Sequence, residues 1–335
     1  MHVDVGARTE WTVALPIVGG ARDLRTGPDG STTVLAEARV EAAFDTGRRL
    51  VELQSTPAVD WLDDLIGTRA GGGFRRRLDE VVPPEEAGSL VRQVLDDMPA
   101  GLLISGYAFM RLARRQGHAP SSLTPPDVLD RMVDLCSGWR AGGVAAESIG
   151  TGHGIPMQDC PPAPELHGLL AQPRRREPLP STSATRSEAG DTGTAASDDP
   201  WAWHATDPLP SDHMRRRRCL DLRSEEDGAF SIWAMFRDTV GEPEGGEAVL
   251  HEYAVEATGR DGVLTEVRAD PRVLPFPECP GAAAHVADLA GIAVADLPVA
   301  VPDTLVGIAS CTHLNDLLRA LGGLAGLFDA APISS

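Results

Sequence analysis

The sequence predicts an α+β protein made of two pseudo-repeated units, each a small antiparallel sheet packed with helices, joined by a flexible linker. Three observations predict it. The apolar pattern changes from alternation to helical spacing once in each half of the chain. A low-complexity tract separates the halves. Short motifs recur in the same order on either side of it. The boundaries that follow are 1–159 for the first unit, 160–212 for the linker and 213–331 for the second unit.

In the first unit, Trp11 to Ile17 alternates weakly and suits a strand, and Gly27-Pro-Asp-Gly30 is a strong turn signal. Thr32 to Phe44 places Val34, Ala36, Ala38, Val40, Ala42 and Phe44 at alternate positions, as in a half-buried strand. Arg49 to Gln54 is its partner across the Asp45-Thr-Gly47 turn. After Pro57, Leu62, Leu65 and Ile66 suit a short helix; Ala87 to Met98, Gly101 to Gln116 and Pro126 to Trp139 read as longer ones.

Cys160-Pro-Pro-Ala-Pro164 opens the linker, which has almost no large apolar residue between Leu179 and Trp201. Such a segment buries too little surface to offset its ordering entropy. Trp201-Ala-Trp203-His204 reads as an anchor for the returning chain. Beyond it, Arg218 to Leu222, Phe230 to Phe236, Val249 to Thr258 and Val263 to Ala269 read as strands, and Pro280 to Leu289 and Thr312 to Leu321 as helices.

The repeated motifs are specific. Asp23-Leu24-Arg25 before Asp29-Gly30 echoes Asp221-Leu222-Arg223 before Asp227-Gly228. Val34-Leu-Ala-Glu37 echoes Val249-Leu-His-Glu252; Leu50-x-Glu52 echoes Leu264-x-Glu266; Gly88-Ser-Leu-Val91 echoes Cys311-Thr-His-Leu314. The ordered series predicts a duplication, with one extra hairpin in the second copy.

Composition excludes several function classes. A net charge of −19 over 335 residues disfavours nucleic acid and anionic membrane as partners. No apolar run approaches the ~18 residues of a membrane span, and the N-terminus lacks a signal-peptide pattern, so the expected location is cytoplasmic. Of two arginine runs, Arg174 to Arg176 reads as solvated; Arg215 to Arg218 either binds an anionic ligand or carries alternate strand charges. The chain has no lysine, which excludes a phosphate-loop lysine, a Schiff-base lysine and a Ser-x-x-Lys nucleophile pair.

The candidate site comes from comparing the two copies. Where the second has His251, Cys311 and His313, the first has Ala36, Gly88 and Leu90, and Cys279 has no cysteine or histidine counterpart near residues 60–65. Two thiols and two imidazoles (His251, Cys279, Cys311, His313) suit a tetrahedral zinc site or a mononuclear iron site. A second reading makes Cys311 a catalytic thiolate, activated at a helix start, with a histidine as base. A third leaves the cysteines as small packing residues. The expected function is a small-molecule enzyme, with Glu252 as general base and Arg237 or Asp238 contacting substrate; the contrasting class is a non-catalytic ligand-binding or scaffold protein. Gly150-Thr-Gly-His-Gly154 lacks the strand and helix of a dinucleotide loop, and Asp96-Asp97 reads as a solvated pair.

The second half resembles the family known as domain of unknown function 2889. The resemblance rests on Met214 to Leu222, Phe236-Arg-Asp238, Leu250-His-Glu-Tyr253, Leu274 to Pro280 and Ser310-Cys-Thr-His-Leu-Asn-Asp316. It implies a shared site around the Cys-Thr-His-Leu helix start and leaves the reaction open. Residues 1–155 look like the N-terminal extension of larger relatives, and single-unit relatives are expected to pair as dimers.

Overall fold

The computed structural model describes residues 1–6, 15–27, 31–115, 117, 131–150 and 206–328. Its strands are β1 (His2–Val5), β2 (Leu15–Thr26), β3 (Thr32–Phe44), β4 (Leu50–Thr56), β5 (Met214–Ser224), β6 (Ala229–Gly241), β7 (Glu247–Arg260) and β8 (Val263–Val273). They form one eight-stranded antiparallel sheet in the order β4-β3-β2-β1-β5-β6-β7-β8. The two small sheets expected from sequence are therefore continuous. They join where β1 pairs with β5, so that each covers the other's inner edge.

The helices are α1 (Gly72–Val81), α2 (Leu90–Arg115), α3 (Val144–Gly150), α4 (Leu297–Thr304) and α5 (Thr312–Ala320). In α2, Leu90, Val91, Val94, Leu95, Met98 and Leu102 are buried at helical spacing against β1, β2, β3 and β5. Ser89 caps it, its Oγ accepting from Arg92 N at 3.2 Å. In α5, Leu314, Leu317 and Leu318 are buried towards β6 and β7. Among the described residues, no helix is long and apolar enough to cross a membrane.

Four local expectations differ from the structure. The helices expected at Ala87 to Met98 and Gly101 to Gln116 are one, α2, which runs through Pro99. Residues 131–136 are turns leading to a short 3-10 helix, Ser137–Trp139, and not the end of a regular helix. Residues 279–289 wind as a 3-10 helix, with Pro280 at its start. Most of the expected linker lies outside the described residues, but its last stretch is docked: Leu209 is buried, and Asp207 O accepts from Arg215 at 2.8 Å.

Corresponding details occur in the two halves. Arg22 faces Glu37, Asp23 faces Ala36, and a bulge follows Asp23. Arg237 faces Glu252, Asp238 faces His251, and a bulge follows Asp238. The next turns close alike, Gly27 N on Ser31 O and Glu242 N on Gly246 O. Beyond them Leu50 bonds both Gly67 and Thr68, as Leu264 bonds both Gly291 and Ile292. Gly67 and Gly291 sit at φ 83° and 88°, which a side chain would strain.

By place in the sheet β6 answers to β2, each lying one strand from the midline. The likeness of Asp23-Leu24-Arg25 to Asp221-Leu222-Arg223 therefore falls on strands that do not correspond. By place in the sheet β5 stands opposite β1, one on each side of the midline. Strand β1 escaped notice because it has only 4 residues, too few to show a period.

Candidate metal centre

Antiparallel pairing puts Arg216 of β5, Asp238 of β6 and His251 of β7 in one row on the helix-covered face. The row is buried, with 3%, 0% and 1% of each residue exposed. The start of α5 lowers His313 onto it. The His251 and His313 rings stack with centroids 3.9 Å apart, and Phe236 lies beyond His313 at 6.1 Å. His251 Nδ1 is 3.3 Å from Asp238 Oδ2. The ligand atoms of Asp238, His251 and His313 all lie within 4.8 Å of one another, the one such group of three among the described residues.

Arg216 forks onto Asp238, with Nε and Nη2 donating at 2.7 and 3.0 Å. Its Nη1 lies 3.3 Å from Asp316 Oδ2 and 3.7 Å from Asp97 Oδ1. Asp97 also accepts from Arg218 at 3.1 Å, and Asp316 from Arg75 at 2.9 Å. Burial would raise the Asp238 carboxyl, but Arg216 and His251 together hold it well below the usual range. Asp316 is likewise lowered against its burial by Arg75 and Arg216. Burial, then His251, drives His313 well below its ordinary value, so its ring is neutral at pH 7. Its Nε2 is buried without a hydrogen-bond partner.

Of the residues singled out from sequence, His251, His313 and Asp238 come together. Cys311 stands beside them, its Sγ 3.9 Å from His313 Nδ1. Cys279 does not join the group. The proline-rich turn places it in a separate apolar cluster with Trp139, Ala145 and Phe276, and its carbonyl accepts from Tyr253 Oη at 3.1 Å. Arg237 and Glu252 bond each other at 2.6 Å, and Arg272 lies 3.4 Å from Glu252. Adjacent strand residues point to opposite faces, which puts this pair on the far side of the sheet from the imidazoles.

Burial pushes the Cys311 thiol up to about 11, although the N–H groups of Leu314 and His313 oppose this. At neutral pH it is a thiol, which removes the activation the thiolate reading needs. Burial and the nearby Cys311 also raise Cys279.

Sequence reasoning missed Arg216, Asp97, Asp316 and Arg75. Asp97, read as solvated, is 1% exposed. The arginine run held a signal: its guanidiniums alternate faces and all find carboxylates, Arg215 on Asp4 and Glu247, Arg216 on Asp238 and Asp316, Arg217 on Glu247, Arg218 on Asp97.

One carboxylate and two imidazoles from three elements form the donor set of open mononuclear iron or zinc sites, which leaves positions for water or substrate. No curated protein and no solved structure matches the chain. Residues 213–325, which hold Asp238, His251 and His313, match the model of the family described as Protein of unknown function (DUF2889).

Proposed function

We propose that the chain is a small-molecule enzyme whose centre is a divalent zinc or iron ion held by Asp238, His251 and His313. The observation that carries this is the convergence of three ligand atoms within 4.8 Å. Tetrahedral ligands about 2.0–2.2 Å from a shared ion stand roughly 3.3–3.6 Å apart, so small side-chain rotations must draw the three atoms together. The buried, unbonded Nε2 of neutral His313 supports the reading. Binding requires one stacked ring to turn so that the two lone pairs meet. Cys311 is the available fourth group, and the bound ion would supply Lewis-acid or redox chemistry to a small ligand entering beside it.

The test is metal content of the purified full chain, beside His251→Ala/His313→Ala. Near-stoichiometric zinc or iron, lost in the variant, supports the proposal; unchelated protein without metal overturns it. A non-catalytic reading draws on one observation, the Arg216 fork that already occupies both Asp238 oxygens. On that reading the cluster is a satisfied polar tie, and the metal-free result is the one expected.

The matching bulges, turns and glycines also support duplication of one ancestral unit, with residues 1–159 and 213–331 as its copies. On this reading the first copy keeps Asp23 where the second has Asp238 but has lost both imidazoles, Ala36 standing for His251 and Leu90 for His313. The proposed chemistry then belongs to the second copy alone.

A further inference from the structure

We infer that the N-terminal half supplies a positioning residue to this centre: Asp97 of α2, acting through Arg216 on Asp238. The inference rests on the metal reading above and adds to it a role for the half that lacks the imidazoles.

Asp97 comes from the first half, yet its carboxylate points across the midline at the second. Oδ1 accepts from Arg218 at 3.1 Å and lies 3.7 Å from Arg216 Nη1. Oδ2 is buried without a hydrogen-bond partner. Leaving a carboxylate oxygen buried and without a protein partner is costly, and a residue kept only to tie β5 to α2 would be expected to satisfy both oxygens. What Asp97 adds at this place is charge. Arg216 is shared among Asp238, Asp316 and Asp97, and Arg75 from α1 neutralises Asp316 in turn. Asp97 thus offsets positive charge that would otherwise rest on Asp238.

The consequence concerns the electron density left on Asp238. A carboxylate gripped by an under-compensated guanidinium is a weak donor to a cation, and outer partners of this kind set metal affinity. With Asp97 in place, Arg216 orients Asp238 without saturating it. Without Asp97, Arg218 loses its carboxylate and Arg216 keeps only Asp238 and Asp316, so the fork on Asp238 tightens.

The experiment is a zinc and cobalt(II) titration of the full chain, by competition with a chromophoric chelator, comparing wild type, Asp97→Asn and Leu78→Val. The last trims the first core without touching the network, so it reports what lost stability alone does. The expected result is affinity at least about tenfold weaker in Asp97→Asn, an altered cobalt absorption band, and wild-type values in Leu78→Val. Arg75→Gln, at a less buried position, is the second variant should Asp97→Asn fail to fold; removing the charge that neutralises Asp316 leaves that carboxylate to draw Arg216 away, so its affinity and cobalt band must also differ from wild type. Wild-type affinity in whichever variant folds overturns the inference and leaves the metal reading standing. Absence of binding by the wild type overturns both.

Discussion

Phe230 lies directly across from Gly259 between β6 and β7, and its ring fills the space a side chain at 259 would need. A Cβ there would fall 2.2 Å from Phe230 Cζ and 2.3 Å from the carbonyl oxygen of Val263. In the first half the pair at this place is Leu15 and Phe44, so the bulk sits on the other strand. Gly259→Ala is expected to cost about 1–3 kcal/mol, the usual penalty of overpacking. Adding Phe230→Leu should recover only part of it, because the Val263 carbonyl is backbone. Urea unfolding of the single and double variants checks this; full recovery would show that the ring alone sets the constraint.

The Arg216–Asp238 fork makes a second prediction. Removing one member of a buried pair strands the other, at about 3–5 kcal/mol, whereas replacing both with apolar groups is often near neutral. Arg216→Met should therefore be more destabilising than Arg216→Met/Asp238→Leu. A double variant as unstable as the single one would show that the fork contributes more than its own desolvation costs.

Acid sensitivity should depend in part on His2. Burial lowers its pKa from 6.5 to about 4, with Asp4 opposing. The folded chain thus takes up this proton less readily than the unfolded chain does. The stability associated with neutral His2 is complete above 6.5 and is lost as pH falls from there through about 4. His2→Gln should narrow the stability difference between pH 7.5 and pH 4.5, measured against the parent by urea midpoints. An unchanged difference would assign the acid limb to other groups.

Cys311 should resist modification. A thiol pushed up to about 11 by burial carries little thiolate at pH 7.5. Reaction with an aromatic disulfide should be slow in the native chain and become fast across the unfolding transition. A stoichiometric burst under native conditions, lost in Cys311→Ser, would revive the thiolate enzyme.

What the sequence made legible follows from how each signal arises. The strands β3 and β7 were readable because their apolar residues alternate, and α5 because its leucines recur at helical spacing. Strand β5 was cut short because four arginines conceal the alternation, each hidden by a carboxylate from elsewhere in the chain. Within the site, comparison of the halves singled out His251 and His313, where a polar residue replaces an apolar one. Asp238 drew notice only as a substrate contact. Arg216 and Asp97 were unreadable as site residues because burying a charge depends on partners far away in sequence, such as Asp97 on Arg218 across the midline.

The junction of β1 with β5 bears on how the segment that matches the family model can be handled outside its chain. Residues 213–325 begin at the sheet's centre, where Arg218 N donates to Met1 O and the 4-residue β1 lies alongside. Excised, that segment would present β5 as a bare strand, ready to zip onto a second molecule of itself. Its arginines would at the same time lose Asp4 and Asp97 and repel an identical neighbour. The excised piece is thus caught between sticking and repulsion, and ionic strength, by screening the arginines, should decide whether it stays single or couples edge to edge.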